Sequence, residues 1–110
     1  MTPWLGPLQL LGADRAAILQ ARAEIWEQRL RDLARAFRTP LASLPPRKSA
    51  VEKLRLAAAM KMTTSVSNGW LAQRLQTGAV GSLGSLLTRF RAAGGTSRRD
   101  FKSALSQILT

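Results

Sequence analysis

The side chains best suited to chemistry in this chain are hydrogen-bond donors and short polar groups. Lys61, Thr63, Thr64, Arg74, Gln76, Thr77, Ser82, Ser85, Arg89 and Arg91 fall within one segment, and Arg98 and Arg99 follow it. Cations position a polyanion by its phosphates, while amides and hydroxyls reach base edges in a groove. None of these residues is a proton shuttle or a metal ligand of the usual kind. The chain contains no His, no Cys and no Tyr. That removes the usual general base near neutral pH, the His and Cys metal sites including zinc fingers, and the tyrosine nucleophile. The expectation is a binding protein, with no catalytic residue, no metal, no cofactor and no small-molecule ligand.

Charge gives the binding reading its direction. The chain carries 17 Lys and Arg against 6 Asp and Glu, a net +11 over 110 residues. Residues 1–52 hold eight bases and five acids, whereas residues 53–110 hold nine bases and Asp100 alone. A folded segment so one-sided repels itself, and a polyanion relieves that repulsion. Nucleic acid is the commonest such partner; an acidic protein or an anionic membrane surface are the alternatives. Arg22, Arg29, Arg31 and Arg35 have acidic neighbours at helical spacing and are expected to pair with them. Arg74, Arg89, Arg91, Arg98 and Arg99 have almost no acid nearby in sequence, which favours phosphate contacts over a merely solvated face.

The elements that must hold these residues read as helices. Ala, Leu, Arg and Gln are abundant and β-branched residues sparse, so an all-α fold is expected, a small bundle of about five helices. A hydrophobic content of 45% suits one folded domain with a single core. Residues 1–13 form an irregular opening in which Pro3, Gly6 and Pro7 interrupt a short apolar run; no basic n-region marks it as a signal peptide. Asp14 is expected to cap a long helix reaching Arg38, with Trp26, Leu30, Leu33 and Phe37 on one face and Leu19 and Ala23 extending the stripe. Two uses are open to this stripe: core packing, or a homodimer seam along the 14–38 helix. A connector with Pro40, Pro45 and Pro46 completes residues 14–47.

Residues 48–93 are expected to form a helix-turn-helix core. Ser49 and Glu52 match a capping box for a helix to about Met62, whose Lys53, Arg55 and Lys61 either flank a phosphate backbone or are solvated. Ser67 is expected to cap the next helix, which carries Trp70, Leu71, Ala72 and Leu75 and ends near Gly78. Thr63 and Thr64, with Lys61, precede that helix N-terminus, a place suited to a phosphate. Ala72 supplies the small residue at the helix crossing, Gly78 the left-handed turn position, and Val80, Leu83, Leu86 and Leu87 the inner face of a second helix to about Ala92. Ser82, Ser85 and Arg89 then face outward, with Gln76 and Thr77 at the approach. The plain alternative is an αα-hairpin without a ligand. Ala72 to Leu83 spans eleven residues, one more than the usual helix-turn-helix spacing, and Gly81 and Gly84 weaken the second helix. Residues 94–110 read as a Gly94–Gly95–Thr96 hinge and a terminal helix with Phe101, Ala104, Leu105 and Ile108 inward.

The pattern Lys53-Leu-Arg-Leu-Ala57, Thr63-Thr64, Trp70-Leu-Ala72, Arg74-Leu75, Gly78, Leu83, Leu87 and Arg89-Phe-Arg91 resembles the small helical domain of REP-associated and related HUH-type transposase proteins. The resemblance covers residues 48–92 and extends hardly at all to residues 1–25 and 93–110. The long turn belongs to that family's pattern. Thr77 departs from it, standing where the family usually has Met. Paired histidines and a nucleophilic tyrosine are missing, so the family's strand-cleaving chemistry does not carry over. What the resemblance implies is a DNA-binding accessory domain, or a remnant of one.

Two function classes follow. The first is a double-stranded DNA-binding protein in transposon-linked or transcriptional regulation, positioned by Lys61, Arg74, Arg89 and Arg91 and reading bases through Gln76, Thr77, Ser82 and Ser85. The second is a helical adaptor or antitoxin-like module that binds an acidic protein. The scarcity of aromatics argues against single-strand stacking platforms and makes RNA a weaker third. No stretch approaches a membrane span, so a cytoplasmic, nucleoid-associated protein is the expectation.

Overall fold

A computed structural model describes residues 13–109 as five α-helices and two short 3₁₀ turns, with no strand among the described residues. The helices are α1 (Ala13–Ala36), α2 (Val51–Thr63), α3 (Asn68–Leu75), α4 (Val80–Ala92) and α5 (Arg99–Leu109). The all-helical fold matches the reading from composition and apolar spacing. The expected irregular opening lies outside the described residues except for Ala13, which is already helical, and Asp14 sits inside α1 rather than ahead of it.

Helix α2 is the axis of the molecule. Leu56, Ala57, Ala58, Ala59 and Met60 are all fully buried, which no helix with one neighbour can achieve. It packs against α1, α3, α4 and α5. Three consecutive alanines let those helices approach on every side, and Leu30 and Leu33 of α1, Leu71 and Leu75 of α3, Leu83 and Leu87 of α4 and Phe101 of α5 fill the space between. The stripe Trp26–Leu30–Leu33–Phe37 therefore belongs to the core, fully buried at its centre and partly buried at both ends. Met60 is buried in the core, whereas Met62 stands exposed.

Several local expectations are corrected. The Ser49–Glu52 capping box does not form: α2 starts later, with Ala50 at the N-cap, and Ser49 Oγ instead accepts from Arg47 Nε at 3.2 Å. Among the described residues, Arg31 with Glu27 is the one expected pair along α1 that forms, at 3.5 Å. The expected Gly94–Gly95–Thr96 hinge lies in a packed corner, where Gly94 takes a φ of 82° and leads into a 3₁₀ turn over Gly95–Ser97. Gly95 is buried beneath Phe90, and a Cβ there would lie 2.5 Å from the ring. Phe90, Phe101 and Phe37 stack onward from it at centroid distances of 6.4 and 5.7 Å, with the Arg55 guanidinium 4.8 Å from the Phe37 ring centroid. This aromatic row fastens α5 to α4 and to the turn that follows α1.

The N-terminal half of α1 is different. Residues 17–22 are all exposed, and the described chain reaches 53 Å along its longest axis against 33 and 26 Å across. A helix of 24 residues is about 36 Å long, more than the remaining bundle can cover.

Candidate nucleic-acid interface

Helices α3 and α4 pack against one another across the short connection of residues 76–79. Ser67 Oγ accepts from the Trp70 N–H at 3.1 Å, so the cap of α3 is where the sequence placed it. The helix ends at Leu75, earlier than expected, because Gln76 takes the left-handed conformation (φ 56°, ψ 57°) and the Thr77 N–H returns to the Ala72 carbonyl. This closure is a Schellman-type stop built on a residue other than glycine. Gly78 supplies a second positive φ, 92°, and Ala79 leads into α4. The turn is long because two left-handed residues, not one, reverse the chain.

The turn is held from beneath by a lysine. Lys53 is 2% exposed, and its Nζ donates to the Gln76 carbonyl at 3.0 Å and to the Pro46 carbonyl at 3.5 Å. A buried ammonium is tolerable only where carbonyl oxygens replace its water, and the end of α3 provides one. Lys53 therefore neither flanks a phosphate backbone nor is solvated. Arg55 is likewise internal: it donates to Thr39 Oγ1 at 2.6 Å and lies 3.8 Å from Asp100.

Helix α4 divides cleanly into two faces. Leu83 and Leu87 are buried, Leu86 and Phe90 partly so. Val80, expected inward, is 51% exposed. Gly81, Ser82, Ser85, Thr88 and Arg89 are exposed, and the offsets of the last four from Gly81, 1, 4, 7 and 8, set them on one side. No atom would approach a Cβ at Gly81 within 4 Å. Thr88, which the sequence reading passed over, belongs to this ridge, although its hydroxyl donates back to the Gly84 carbonyl at 3.0 Å. The interval of three from Ser85 was the available signal.

The other candidates separate into those that remain outside and those drawn in. Arg89, Arg91 and Arg99 are exposed and form no ion pair among the described residues. Arg98 lies 3.4 Å from Asp100. Thr77 is 1% exposed, so it cannot touch a base; the tight return to Ala72 carries it into the core. Gln76 is exposed, but its backbone is committed to the turn. Thr63 and Thr64 do not prepare a helix N-terminus. They finish α2: Thr63 Oγ1 donates to Ala59 O at 2.9 Å, Thr64 Oγ1 to Met60 O at 2.7 Å, and Thr64 Oγ1 also accepts from Val66 N. Lys61 Nζ donates to Val66 O at 3.0 Å in the same corner.

Arg74 has the acid that its sequence neighbours lacked. Its Nε and Nη2 donate to the two carboxylate oxygens of Glu27 at 2.7 and 2.9 Å, across 47 residues. The Arg74 hydrogen bond holds the Glu27 carboxyl below its ordinary pKa, aided by the Arg74 and Arg31 charges and opposed by partial burial. Beside this pair, Trp26 and Trp70 meet edge to face at 5.7 Å. Arg74 thus joins α1 to α3 before it is available to anything else.

One cation was missed altogether. Lys48, in the proline-rich connector, runs across the turn, its Cδ 3.3 Å and its Nζ 4.0 Å from where a Gly78 Cβ would stand. Thirty residues separate the two, so no local pattern could have revealed it.

Protein-family models, curated proteins and solved structures were compared with the chain, and none matches it. Among the described residues no group of His, Cys, Asp or Glu could hold a metal, and no helix is long and apolar enough to cross a membrane.

Proposed function

We propose that this chain is a non-catalytic DNA-binding protein that lays the outer face of α4 in the major groove of a duplex. The observation that carries this reading is the Gly81–Ser82–Ser85–Thr88–Arg89 ridge. It is exposed, free of bulky apolar side chains, and borne by a helix whose opposite face is locked by Leu83 and Leu87. Short side chains allow close approach to base edges, while Arg89 and Arg91 on α4 and Lys48 at its entrance meet flanking phosphates. Ser82, Ser85 and the Gln76 amide are the base readers; Thr77 drops out, and Arg74 and Lys61 contribute only after leaving their internal partners. The resemblance to transposase-associated domains favours transposon-linked or transcriptional regulation, in the cytoplasm at the nucleoid.

Anisotropy titration with duplex DNA at several salt concentrations tests the reading. We expect affinity to fall steeply as salt rises, and Arg89→Ala to weaken binding. No binding at low salt, or binding indifferent to salt, overturns it in favour of another class of partner. Unchanged affinity in Arg89→Ala shows that another face is used.

The protein is proposed to act as a homodimer paired along the N-terminal half of α1, with half-sites ~34 Å apart. Ile18, Leu19 and Ile25 are exposed there, and residues 13–25 carry two acids against two bases, so two copies approach without the repulsion of the cationic half. Sedimentation should show a dimer that Ile25→Glu dissociates; a monomer at high micromolar concentration excludes it.

A further inference from the structure

Helix α5 is sharply two-sided. Phe101, Ala104 and Leu105 are buried and Ile108 is partly buried, which fixes the helix on the bundle. On the opposite side Ser97, Arg99, Lys102, Ser103 and Ser106 line one shallow depression of about 540 Å³. Every lining side chain is a cation or a hydroxyl; none is acidic and none apolar. Arg99, Lys102 and Ser106 follow one another at intervals of three and four, so a single helix face presents them.

The one acid nearby does not cancel this charge. Asp100 is occupied elsewhere: its Oδ1 accepts the Phe101 N–H at 2.9 Å and lies 3.4 Å from Arg98 Nε, and its Oδ2 is 3.8 Å from Arg55. Arg99 and Lys102 form no ion pair among the described residues. Two uncompensated cations flanked by hydroxyls suit a phosphodiester oxygen, with the cations supplying charge and the hydroxyls neutral hydrogen bonds. An acidic peptide would offer planar carboxylates instead, and the depression has no apolar wall against which a peptide side chain could pack.

We propose that the outer face of α5, centred on Arg99 and Lys102, is a second contact for the sugar-phosphate backbone, independent of base sequence. This rests on the DNA reading of α4. The Phe90–Phe101 contact and the buried Gly95 corner fasten the two helices together, so that α5 holds its cations at a fixed offset from Arg89 and Arg91. Binding by α4 alone would let the protein pivot about that helix; a second backbone contact removes this freedom.

The test is the salt dependence of duplex binding by the full chain and by R99Q/K102Q, with circular dichroism confirming that the surface substitutions leave the fold intact. Loss of two phosphate contacts should lower the magnitude of the log–log salt slope by about 1.8, weaken binding roughly tenfold at moderate salt, and leave the ranking of different duplex sequences unchanged. R99K/K102R should retain the original slope. If the unmodified chain binds duplex with a steep slope and R99Q/K102Q keeps it, the α5 contact is wrong while the α4 reading stands. If R99Q/K102Q alters the ranking of sequences, α5 is a base-reading element and the proposal is likewise overturned. If the unmodified chain binds no duplex, both fail together.

Discussion

The Lys53 ammonium lies 3.0 Å from the carbonyl oxygen of Gln76, a residue with a φ of 56°. The two features support one another. A non-glycine residue pays about 1 kcal/mol or more to turn left-handed, and its carbonyl, left unpaired at a helix end, needs a donor. Lys53→Met keeps the volume and removes the donor, so we expect a loss of about 1–3 kcal/mol in chemical denaturation. Gln76→Gly should move stability the other way by up to about 1 kcal/mol, because glycine adopts this conformation without strain. If Lys53→Met proves neutral, the ammonium is not what secures the turn.

Glu27 and Arg74 give the fold an acid-sensitive joint. The folded-state pKa of Glu27 is lowered, chiefly by the Arg74 hydrogen bond. Its stabilisation is therefore complete above the unfolded carboxylate value of about 4.3 and disappears as pH falls through the lower folded value. Glu27→Gln should cost about 1 kcal/mol at pH 7, given partial exposure of the pair, and the gap to the unmodified chain should narrow as pH falls below about 4.3 and close only below the lowered folded value. Thermal melts at both pH values check this. A gap that persists at low pH would assign the loss to something other than the ion pair.

Gly95 is required by contact. Gly95→Ala would thrust its methyl group to 2.5 Å from the Phe90 ring, displacing the aromatic row that reaches Phe101. We expect a cost of about 1–3 kcal/mol, in the range of an overpacked core. Calorimetry would measure it, and an unchanged melting temperature would show that Phe90 yields freely.

Gly81 provides a contrast that bears on function. It stands inside α4 with open space around it. Gly81→Ala should stabilise the helix by up to about 1 kcal/mol. If α4 enters a groove along this face, the same methyl group should weaken duplex binding. Greater stability with undiminished affinity would remove Gly81 from the interface.

Much of the architecture was legible from local pattern. The apolar spacing placed α4 at its observed limits, and Ser67 was recognisable as a cap because capping acts within four residues. The outward set Ser82, Ser85 and Arg89 followed from the inward set Leu83 and Leu87, since a helix fixes one when the other is buried. Boundaries were less legible. α3 stops early because Gln76, not Gly78, makes the first left-handed turn, and the Ser49 capping box was lost when α2 began at Val51.

The sequence by itself determined an all-helical chain with a cationic C-terminal half, a glycine-bearing turn, and none of the usual residues for metal or acid–base chemistry. Those properties are set by residue type and by spacings of one or two helical turns. The tertiary structure alone decided which polar side chains remain outside. Arg74 met Glu27 across 47 residues, Lys53 met Gln76 across 23, Thr77 was carried into the core, and Lys48 came to rest over Gly78. A charged side chain is available to a ligand only after the chain's own acids and carbonyls have taken what they need. Which of them lie within reach depends on how the helices pack, and no local spacing encodes that.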